Sequence, residues 1–350
     1  MSRPRGVGTA PGMVPAASAS RLGWVRRWGV SVCSLSLGFA TLFVFRRGLP
    51  HVGWIAGYLL LLWLAFAVAT EVRDRLEERG WRRAVTAGDY AIQTLCHDLL
   101  LFVLPAYYAS ATLDSPNGVF LAAVAAGAVI TAVDPWFQRI VRRRSWPRDL
   151  LFGFSSFAAL NVSLPLVGVP PILAVEASAA LSMLALVPAF RRTGASWREA
   201  TARGVILACA ALAVGWYGRA LVPPAPLFLA RAVAARAVTG LEPIDVIAGS
   251  IPAQTLADWG SLAAFTPVYA PSGLRQRIYH VWSQDGVPFA RIALAPVRGG
   301  RADGFRTYSV TRNLPARLAG RYTVDVVTGA GQLVGRLRFT VAPEVAMMGR

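Results

Sequence analysis

The pattern of hydrophobic and polar positions divides the chain near residue 223. Before that point, apolar runs of roughly 20 residues alternate with short loops rich in arginine. After it, apolar residues occur in short runs in which every second position is polar. Long apolar runs are typical of helices that cross a bilayer, and alternation with a period of two is typical of strands that bury one face. The pattern therefore predicts a membrane bundle of helices followed by a small β domain.

We predict an all-α bundle of about seven transmembrane helices over residues 29–222. The spans are expected at 29–45, 52–70, 91–112, 118–134, 150–168, 170–190 and 203–222. Residues 1–28, which are rich in Gly, Pro, Ala, Ser and Arg, are expected to be a disordered cytoplasmic segment. The run that follows Arg26 and Arg27 also has features of a signal peptide, but no small-residue cleavage site follows it. We therefore interpret it as the first span.

The placement of arginine predicts the orientation of these spans, because positive residues are retained on the cytoplasmic side. The N-terminal segment and three loops carry nineteen arginines, at positions 3, 5, 21, 26, 27, 73, 75, 79, 82, 83, 139, 142, 143, 144, 148, 191, 192, 198 and 203. The loops on the other side contribute only Arg46 and Arg47. This asymmetry predicts a cytoplasmic N-terminus, a periplasmic C-terminal domain and a location in a bacterial inner membrane.

The C-terminal third is predicted to be a small antiparallel β-sandwich of the immunoglobulin-like kind over residues 240–343. Residues 223–239 are expected to form a linker with a short helix at 227–239, and residues 344–350 a tail. Asp285-Gly286, Asp303-Gly304 and Gly329-Ala-Gly331 are hairpin signals between the predicted strands. In the last strand Leu337, Phe339 and Val341 alternate with polar residues, and Tyr322, Val324 and Val326 do so one strand earlier. These apolar positions are the predicted core.

Composition supports the membrane interpretation and narrows the partners. The chain is 55% hydrophobic and only 15% charged, which is too apolar for an ordinary soluble protein of its length. Its net charge of +18 would indicate nucleic acid in a soluble protein. Here the basic loops are explained by topology and by anionic lipid headgroups on the cytoplasmic side, so we expect no nucleic acid partner. The three cysteines lie in separate apolar runs, and we expect neither a disulfide nor a metal site.

Residues of the last third resemble a known domain. The segments Tyr279-His-Val-Trp282, Phe305-Arg-Thr-Tyr-Ser309, Gly320-Arg-Tyr-Thr-Val-Asp-Val326, Gly331-Gln-Leu333 and Leu337-Arg-Phe-Thr-Val341 carry the resemblance. Together they resemble a small bacterial β domain of unknown function. The whole chain is similar to an uncharacterised proteobacterial family of multi-span membrane proteins that carry such a domain at the C-terminus. The resemblance implies a protein of the cell envelope and supplies no catalytic residues.

Polar residues inside the predicted spans are the first candidates for chemistry. They are His97, Asp98, Asn161, Glu176 and Arg219. An ionisable group near the bilayer centre costs on the order of 2.5–3.5 kcal/mol, so each should face the bundle interior and have a partner. One interpretation is a path for protons or ions. The other is a set of interhelical locks, with Glu176 paired to Arg219 and His97 paired to Asn161.

The β domain offers a second group of candidates. His280 and Trp282 share one strand face, and Arg306 and Tyr308 share another. An exposed cluster of arginine and aromatic side chains could bind an anionic ligand, a glycan or an envelope partner. Alternatively, Trp282 and Tyr308 are core anchors while His280 and Arg306 form hydrogen bonds at the rim.

Two functions from different classes follow from these candidates. The chain has no catalytic triad, metal-ligand pattern or phosphate-binding glycine loop, so we expect neither an enzyme nor a bound cofactor. The first hypothesis is a membrane anchor whose β domain binds a partner or ligand in assembly or sensing. The alternative is a transporter or permease that uses Asp98, His97 and Glu176 in a polar intramembrane path.

Overall fold

A computed structural model describes residues 52–140, 145–191 and 194–343. The predicted disordered segment, the span predicted at 29–45 and the tail at 344–350 lie outside the described residues. The described part has the two halves that the hydrophobic pattern predicts. Helices occupy the first half, up to Gly218, and strands dominate from Phe228 onward.

The helical half consists of eight helices within the described ranges. They are α1 (Val52–Glu78), α2 (Arg82–Ser110), α3 (Asn117–Ala132), α4 (Asp134–Ile140), α5 (Ser145–Leu166), α6 (Pro171–Leu184), α7 (Val187–Phe190) and α8 (Trp197–Gly218). Local chemistry fixes several ends. Pro171 begins α6 at a position where its missing N–H costs nothing, and Ser196 and Glu199 form a reciprocal capping box at the start of α8.

Among the described residues, four segments are long and apolar enough to cross a membrane: Gly53–Glu78, Ser145–Leu166, Pro171–Phe190 and Trp197–Gly218. A fifth candidate is the pair α3 and α4, which is bent by 104° at Val133. The longest helix, α2, is not among them because it carries several polar side chains. It contacts α1, α3 and α5, and its buried residues include Asp89, Gln93 and His97, so neighbouring helices enclose those polar groups.

The bundle core lies where α1, α2 and α5 meet. Phe66 of α1 stacks on Phe152 of α5 with ring centroids 3.8 Å apart. Leu99, Leu100 and Val103 of α2 are fully buried beside them. Apolar side chains thus supply most of the contact between helices, and the polar contacts described below are few and specific.

The second half contains thirteen strands and one helix within the described residues. They are β1 (Phe228–Leu229), β2 (Val233–Thr239), β3 (Glu242–Val246), β4 (Ser250–Pro252), α9 (Ala253–Trp259), β5 (Leu262–Phe265), β6 (Val268–Tyr269), β7 (Arg275–Gln276), β8 (Ile278–Gln284), β9 (Val287–Ala293), β10 (Val297–Arg298), β11 (Tyr308–Thr311), β12 (Gly320–Thr328) and β13 (Leu333–Ala342).

Two larger sheets share one hydrophobic core. The first has the order β4-β13-β12-β8-β9 and the second the order β11-β5-β2-β3. The predicted inward positions are confirmed, because Tyr322 lies opposite Phe339 in the register and their rings stack 5.2 Å apart. Trp282 of β8 and Leu262 of β5 are buried in the same cluster. The alternation seen in the sequence therefore identifies the faces that meet.

Three predictions about this half are wrong. The helix expected at 227–239 is replaced by β1 and β2, because β2 pairs with both β3 and β5. The sheet is not purely antiparallel, since β4 pairs with β13 in parallel. Asp303-Gly304 forms a local turn rather than a hairpin, because the strands before and after it pair elsewhere, β10 with β7 and β11 with β5. Asp285-Gly286 and Gly329-Ala-Gly331 do join paired neighbours, as predicted.

The connections of the bundle fall into two groups at opposite ends. One group, which we call the arginine-poor end, contains the turn at 111–116, the turn at 167–170 and residues 219–222. The other, the arginine-rich end, contains the connection at 79–81, residues 194–196 and the helix ends at Ile140 and Ser145. All contacts between the bundle and the β domain that are described below lie at the arginine-poor end. Separate connections of the bundle therefore lie together at that end.

Candidate functional site

A line of polar residues on α2 faces the neighbouring helices rather than lipid. Gln93 and His97 are four residues apart and therefore lie on the same side of the helix. The Gln93 amide donates to the backbone oxygen of Thr131 at 2.8 Å and to Asp134 Oδ1 at 2.9 Å. Thr131 lies at the end of α3, where backbone carbonyls lose their helical partners. Gln93 therefore stabilises the bend between α3 and α4.

His97 is buried and is held by α3 as well. Its Nδ1 lies 3.1 Å from the backbone oxygen of Ala128 and 3.1 Å from Thr131 Oγ1. The predicted pairing of His97 with Asn161 is therefore wrong. The Asn161 amide instead donates to the Tyr107 hydroxyl at 3.0 Å, and that hydroxyl donates to the backbone oxygen of Ala158 at 3.0 Å.

These contacts form two separate groups along α2. Ten residues, or about 15 Å of helix, separate His97 from Tyr107. Leu99, Leu100 and Val103 lie in that interval and are fully buried. The polar groups therefore do not form a continuous line from one end of the bundle to the other within the described residues.

A buried ion cluster joins three helices at the arginine-rich end. Asp89 of α2 accepts from Arg73 Nη1 of α1 at 2.9 Å and from Arg148 Nη1 of α5 at 3.0 Å, both on Oδ1. Nearby, Arg191 pairs with Glu71 of α1 at 2.6 Å. Sequence reasoning treated these arginines only as orientation signals. Their acidic partners are 16, 59 and 120 residues away in the chain, so no local spacing reveals them.

The two predicted intramembrane carboxylates, in contrast, are not locked in this way. Asp98 and Glu176 are each half-buried, and neither forms a side-chain hydrogen bond or an ion pair within the described ranges. The predicted pair of Glu176 with Arg219 is wrong. Arg219 Nε instead donates to the backbone oxygen of Ala330 at 2.7 Å, in the turn between β12 and β13.

Arg219 belongs to an interface between the bundle and the β domain that sequence reasoning missed. Asn117, at the start of α3, is buried and its amide donates to the backbone oxygen of Leu333 at 3.1 Å. Asp114, in the preceding turn, pairs with Arg336 at 3.5 Å and also with Arg338. The hairpin of β12 and β13 is thus held at two places on the arginine-poor end, at residues 114–117 and at Arg219.

His280 lies at the centre of a hydrogen-bond network between the two larger sheets. Its Nδ1 is 2.7 Å from Ser309 Oγ, and its Nε2 is 2.7 Å from Thr266 Oγ1. Trp282 Nε1 donates to the same Ser309 hydroxyl at 3.0 Å. The Thr307 hydroxyl lies 3.1 Å from that of Thr266 and donates to its backbone oxygen at 2.6 Å.

Only one tautomer of His280 satisfies every donor in this network. Because Ser309 already accepts from Trp282, its own proton has an acceptor only if His280 Nδ1 is unprotonated. The proton then resides on Nε2 and is donated to Thr266, which in turn donates to Thr307. Burial lowers the pKa of His280 to about 4, which is consistent with a neutral ring.

The network predicts a specific loss of stability in acid. Between pH 6.5, the ordinary pKa of histidine, and about pH 4, the unfolded chain protonates residue 280 while the folded domain does not. Stability should therefore fall as the pH falls through this window, by roughly 3 kcal/mol at about 1.4 kcal/mol per pKa unit. His280→Gln, which cannot titrate, should remove this part of the pH dependence. Urea unfolding of residues 227–343, followed by the fluorescence of Trp259 and Trp282, measures it, and equal slopes in the two proteins would contradict the assignment.

The predicted surface cluster of the β domain is split by the structure. His280 and Trp282 are fully buried, so the expectation that they are available to a ligand, or that His280 lies at the rim, is wrong. Arg306 and Tyr308 are exposed, the latter with 42% of its surface accessible, which also rules out Tyr308 as a core anchor. Thr307 and Ser309 alternate with them and point inward.

In the described ranges no group of three or more His, Cys, Asp or Glu side chains is placed to hold a metal ion. Cys96 and Cys209 are free thiols, and Cys33 lies outside the described residues.

Comparison with known families covers most of the chain. The model of a Family of unknown function (DUF5924) matches residues 17–256, and the model of a Protein of unknown function (DUF2914) matches residues 275–341. No curated protein matches the chain. The first match includes the described helices together with β1 to β4, so its boundary falls inside the β region, where β2 pairs with β5 and β4 pairs with β13. The second covers β7 to β12 and most of β13, where the resemblance of the β domain was found. With more than half of its length matched, the chain belongs to the Family of unknown function DUF5924.

Proposed function

We propose that this protein is a membrane anchor that holds a β domain at the outer face of the bacterial inner membrane, where the domain binds a partner or ligand of the cell envelope. In this proposal the bundle has seven spans, with α2, the bent pair of α3 and α4, and residues 29–45 added to the four apolar helices. The β region is an immunoglobulin-like sandwich in the periplasm, and the protein catalyses no reaction.

The docking of the β domain onto the bundle carries the proposal. A domain joined only by the short connection after α8 could reorient freely. Here Arg219, Asn117 and Asp114 all contact the hairpin of β12 and β13. Gln332 adds a bond from its amide to the backbone oxygen of Val222 at 3.5 Å. A bundle that makes such contacts fixes the height and direction of the β domain, which is what a platform for binding requires.

The distribution of arginine supports the proposed orientation. The arginine-rich end carries the basic loops, which favour the cytoplasmic side and its anionic headgroups. The β domain lies at the arginine-poor end, which favours the opposite side. Arg306 and Tyr308 remain exposed on the β domain and are the proposed contacts for a glycan or an envelope protein.

The polar residues of the bundle favour an anchor over a transporter. Gln93, His97 and Asn161 each make contacts that lock helices together. Fully buried leucine and valine side chains separate the inner group from the outer one. A path for protons or ions through Asp98, His97 and Glu176 would have to cross this apolar interval, so the path has less support.

Crosslinking across the interface tests the docking. In a variant without Cys33, Cys96 and Cys209, we expect Asp114→Cys and Arg338→Cys to be joined by a short bis-maleimide in membranes, because the native side chains form an ion pair. The matched control pairs Asp114→Cys with Tyr308→Cys. Tyr308 projects from the opposite sheet, and packed sheets lie about 10 Å apart, so this pair should not react. Equal crosslinking of both pairs would indicate a freely moving domain and would contradict the platform.

A further inference from the structure

We propose that an arginine surface of the β domain, formed by Arg275, Arg277, Arg298 and Arg301, binds the phosphate of anionic lipid headgroups at the arginine-poor end of the bundle. This ligand goes beyond the partner binding proposed above. It requires that α5 and α6 cross the bilayer, and it does not depend on which side of the membrane the β domain occupies.

Two like charges lie directly opposite each other in this surface. Arg298 of β10 is the register partner of Arg275 of β7 in a two-stranded antiparallel sheet. Side chains at such positions leave the same face with Cβ atoms about 4.5–5.5 Å apart, and like charges there are destabilising. Both residues are exposed, and neither forms an ion pair in the part of the chain that the structure describes. An anion between them would remove the repulsion.

Backbone contacts hold these two arginines in a fixed arrangement. Gly299 N donates to the backbone oxygen of Leu274 at 3.0 Å, and Gly300 N donates to that of Ala270 at 3.0 Å. A Cβ at position 299 would approach the backbone oxygen of Pro271 to 1.7 Å, so only glycine fits. Next to this contact lies an open cavity of about 430 Å³, lined by Ala295, Pro296, Arg298, Gly299, Arg301 and Phe305. The arginines therefore border a space that is already formed.

Local charge favours an anion in this cavity. Arg301 lies over the ring of Phe305 at 5.3 Å, which holds its guanidinium at the cavity wall. Arg277 is exposed two residues after Arg275. Asp303 is the only carboxylate in the sequence between Asp285 and Asp325. Among the described residues it forms no ion pair with any of the four arginines.

Contacts with the bundle place this surface at the edge of the bilayer. Gly168 lies two residues beyond the end of α5, and a Cβ placed there would be 3.6 Å from the backbone oxygen of Gly273. Arg275 follows Gly273 by two residues, at most about 7 Å of extended chain. The 22 residues of α5 span about 33 Å, which matches the hydrocarbon core, so Gly168 lies at its boundary. Arg275 therefore falls within the headgroup layer.

A second contact gives the same placement. Gly329 N donates to the backbone oxygen of Arg277 at 3.1 Å, and the next residue, Ala330, accepts from Arg219 at the end of α8. The arginine surface is thus connected to the bundle end from both sides. A phosphate held in a lipid headgroup lies where these side chains are, which favours lipid over a soluble anion.

A fluorophore beside the surface provides a readout that the basic loops at the other end do not affect. Ser272 is exposed and adjoins Gly300, so Ser272→Cys in the full chain without its native cysteines can carry a bimane label. The labelled protein is placed in nanodiscs that contain a headgroup nitroxide lipid, either anionic phosphatidylglycerol or zwitterionic phosphatidylcholine. We expect the anionic lipid to quench at a much lower mole fraction than the zwitterionic one.

Removal of the opposed charges should abolish this preference. For Arg275→Gln with Arg298→Gln, half-maximal quenching by the anionic lipid should require roughly thirtyfold more lipid, at about fivefold for each arginine near the surface. The control is Arg312→Gln with Arg317→Gln, which removes the same charge. Arg317 lies far from the arginine surface. Its backbone oxygen accepts from Gln284 at one end of β8, and Ile278, which follows Arg277, lies at the other end, six residues or about 20 Å away. The control should retain the preference.

Stability distinguishes loss of lipid binding from loss of the fold. Arg275→Gln with Arg298→Gln should unfold at the same temperature as the native chain or higher, and Arg275→Glu should be more stable because it can pair with Arg298. Arg275→Glu should nevertheless lose the anionic preference. Equal quenching by both lipids in the native chain, or a preference that survives in both variants, would overturn the proposal. Full reversal of quenching by millimolar glycerol phosphate would also overturn it, because it would indicate a site for soluble anions.

Discussion

A fragment that begins at Gly240 should fail to fold, whereas one that begins at Leu227 should give a β-type circular dichroism spectrum and a cooperative melt. The difference is the strand β2, which lies between β5 and β3 in its sheet. Ala234 and Ala235 of this strand are buried against the shared core. Without β2, β3 has no partner in the sheet and β5 keeps only β11, so the sheet loses its centre.

The two fragments differ only by residues 227–239, so a difference in folding can be assigned to that segment. Both end at Pro343, and neither contains a cysteine, so reductant should change neither result. The shorter fragment should show a weak, non-cooperative transition or aggregate through its exposed strand edge. A cooperative melt of the same midpoint in both would contradict the assigned role of β2. Failure of both would indicate that the docking contacts with the bundle are needed for folding.

The strands that the sequence predicted well are those with large apolar side chains in strict alternation. In β12 and β13, Tyr322, Val324, Leu337 and Phe339 are inward and their neighbours are polar, so a period of two is visible without any partner. In contrast, β2 has the sequence VAARAVT, and its alanine and arginine residues favour helix when taken alone. Pairing with two neighbouring strands overrides that preference, and the sequence does not show those neighbours.

The candidate site residues were recognisable by type, but their partners were not. His97 and Gln93 bond to backbone oxygens of α3, which have no sequence signature. His280 bonds to Thr266, which follows β5, and to Ser309 of β11, and these residues are 14 and 29 positions away in the chain. The interface of the two halves joins Asp114 to Arg336 over 222 residues. Physical reasoning could state that each buried polar group needs a partner, whereas the fold decides which one it has.

The central claim is that the bundle holds the β domain outside the cytoplasm. The most direct test is a set of fusions to a reporter that is active only outside the cytoplasm. We expect a reporter fused after Pro343 to be active, because the arginine-poor end carries the β domain. The same reporter inserted between Arg142 and Arg144, at the arginine-rich end, should be silent. The response should be close to all or none, since a fusion point lies on one side of the membrane or the other. A silent reporter after Pro343, or an active one between Arg142 and Arg144, would contradict the proposed orientation.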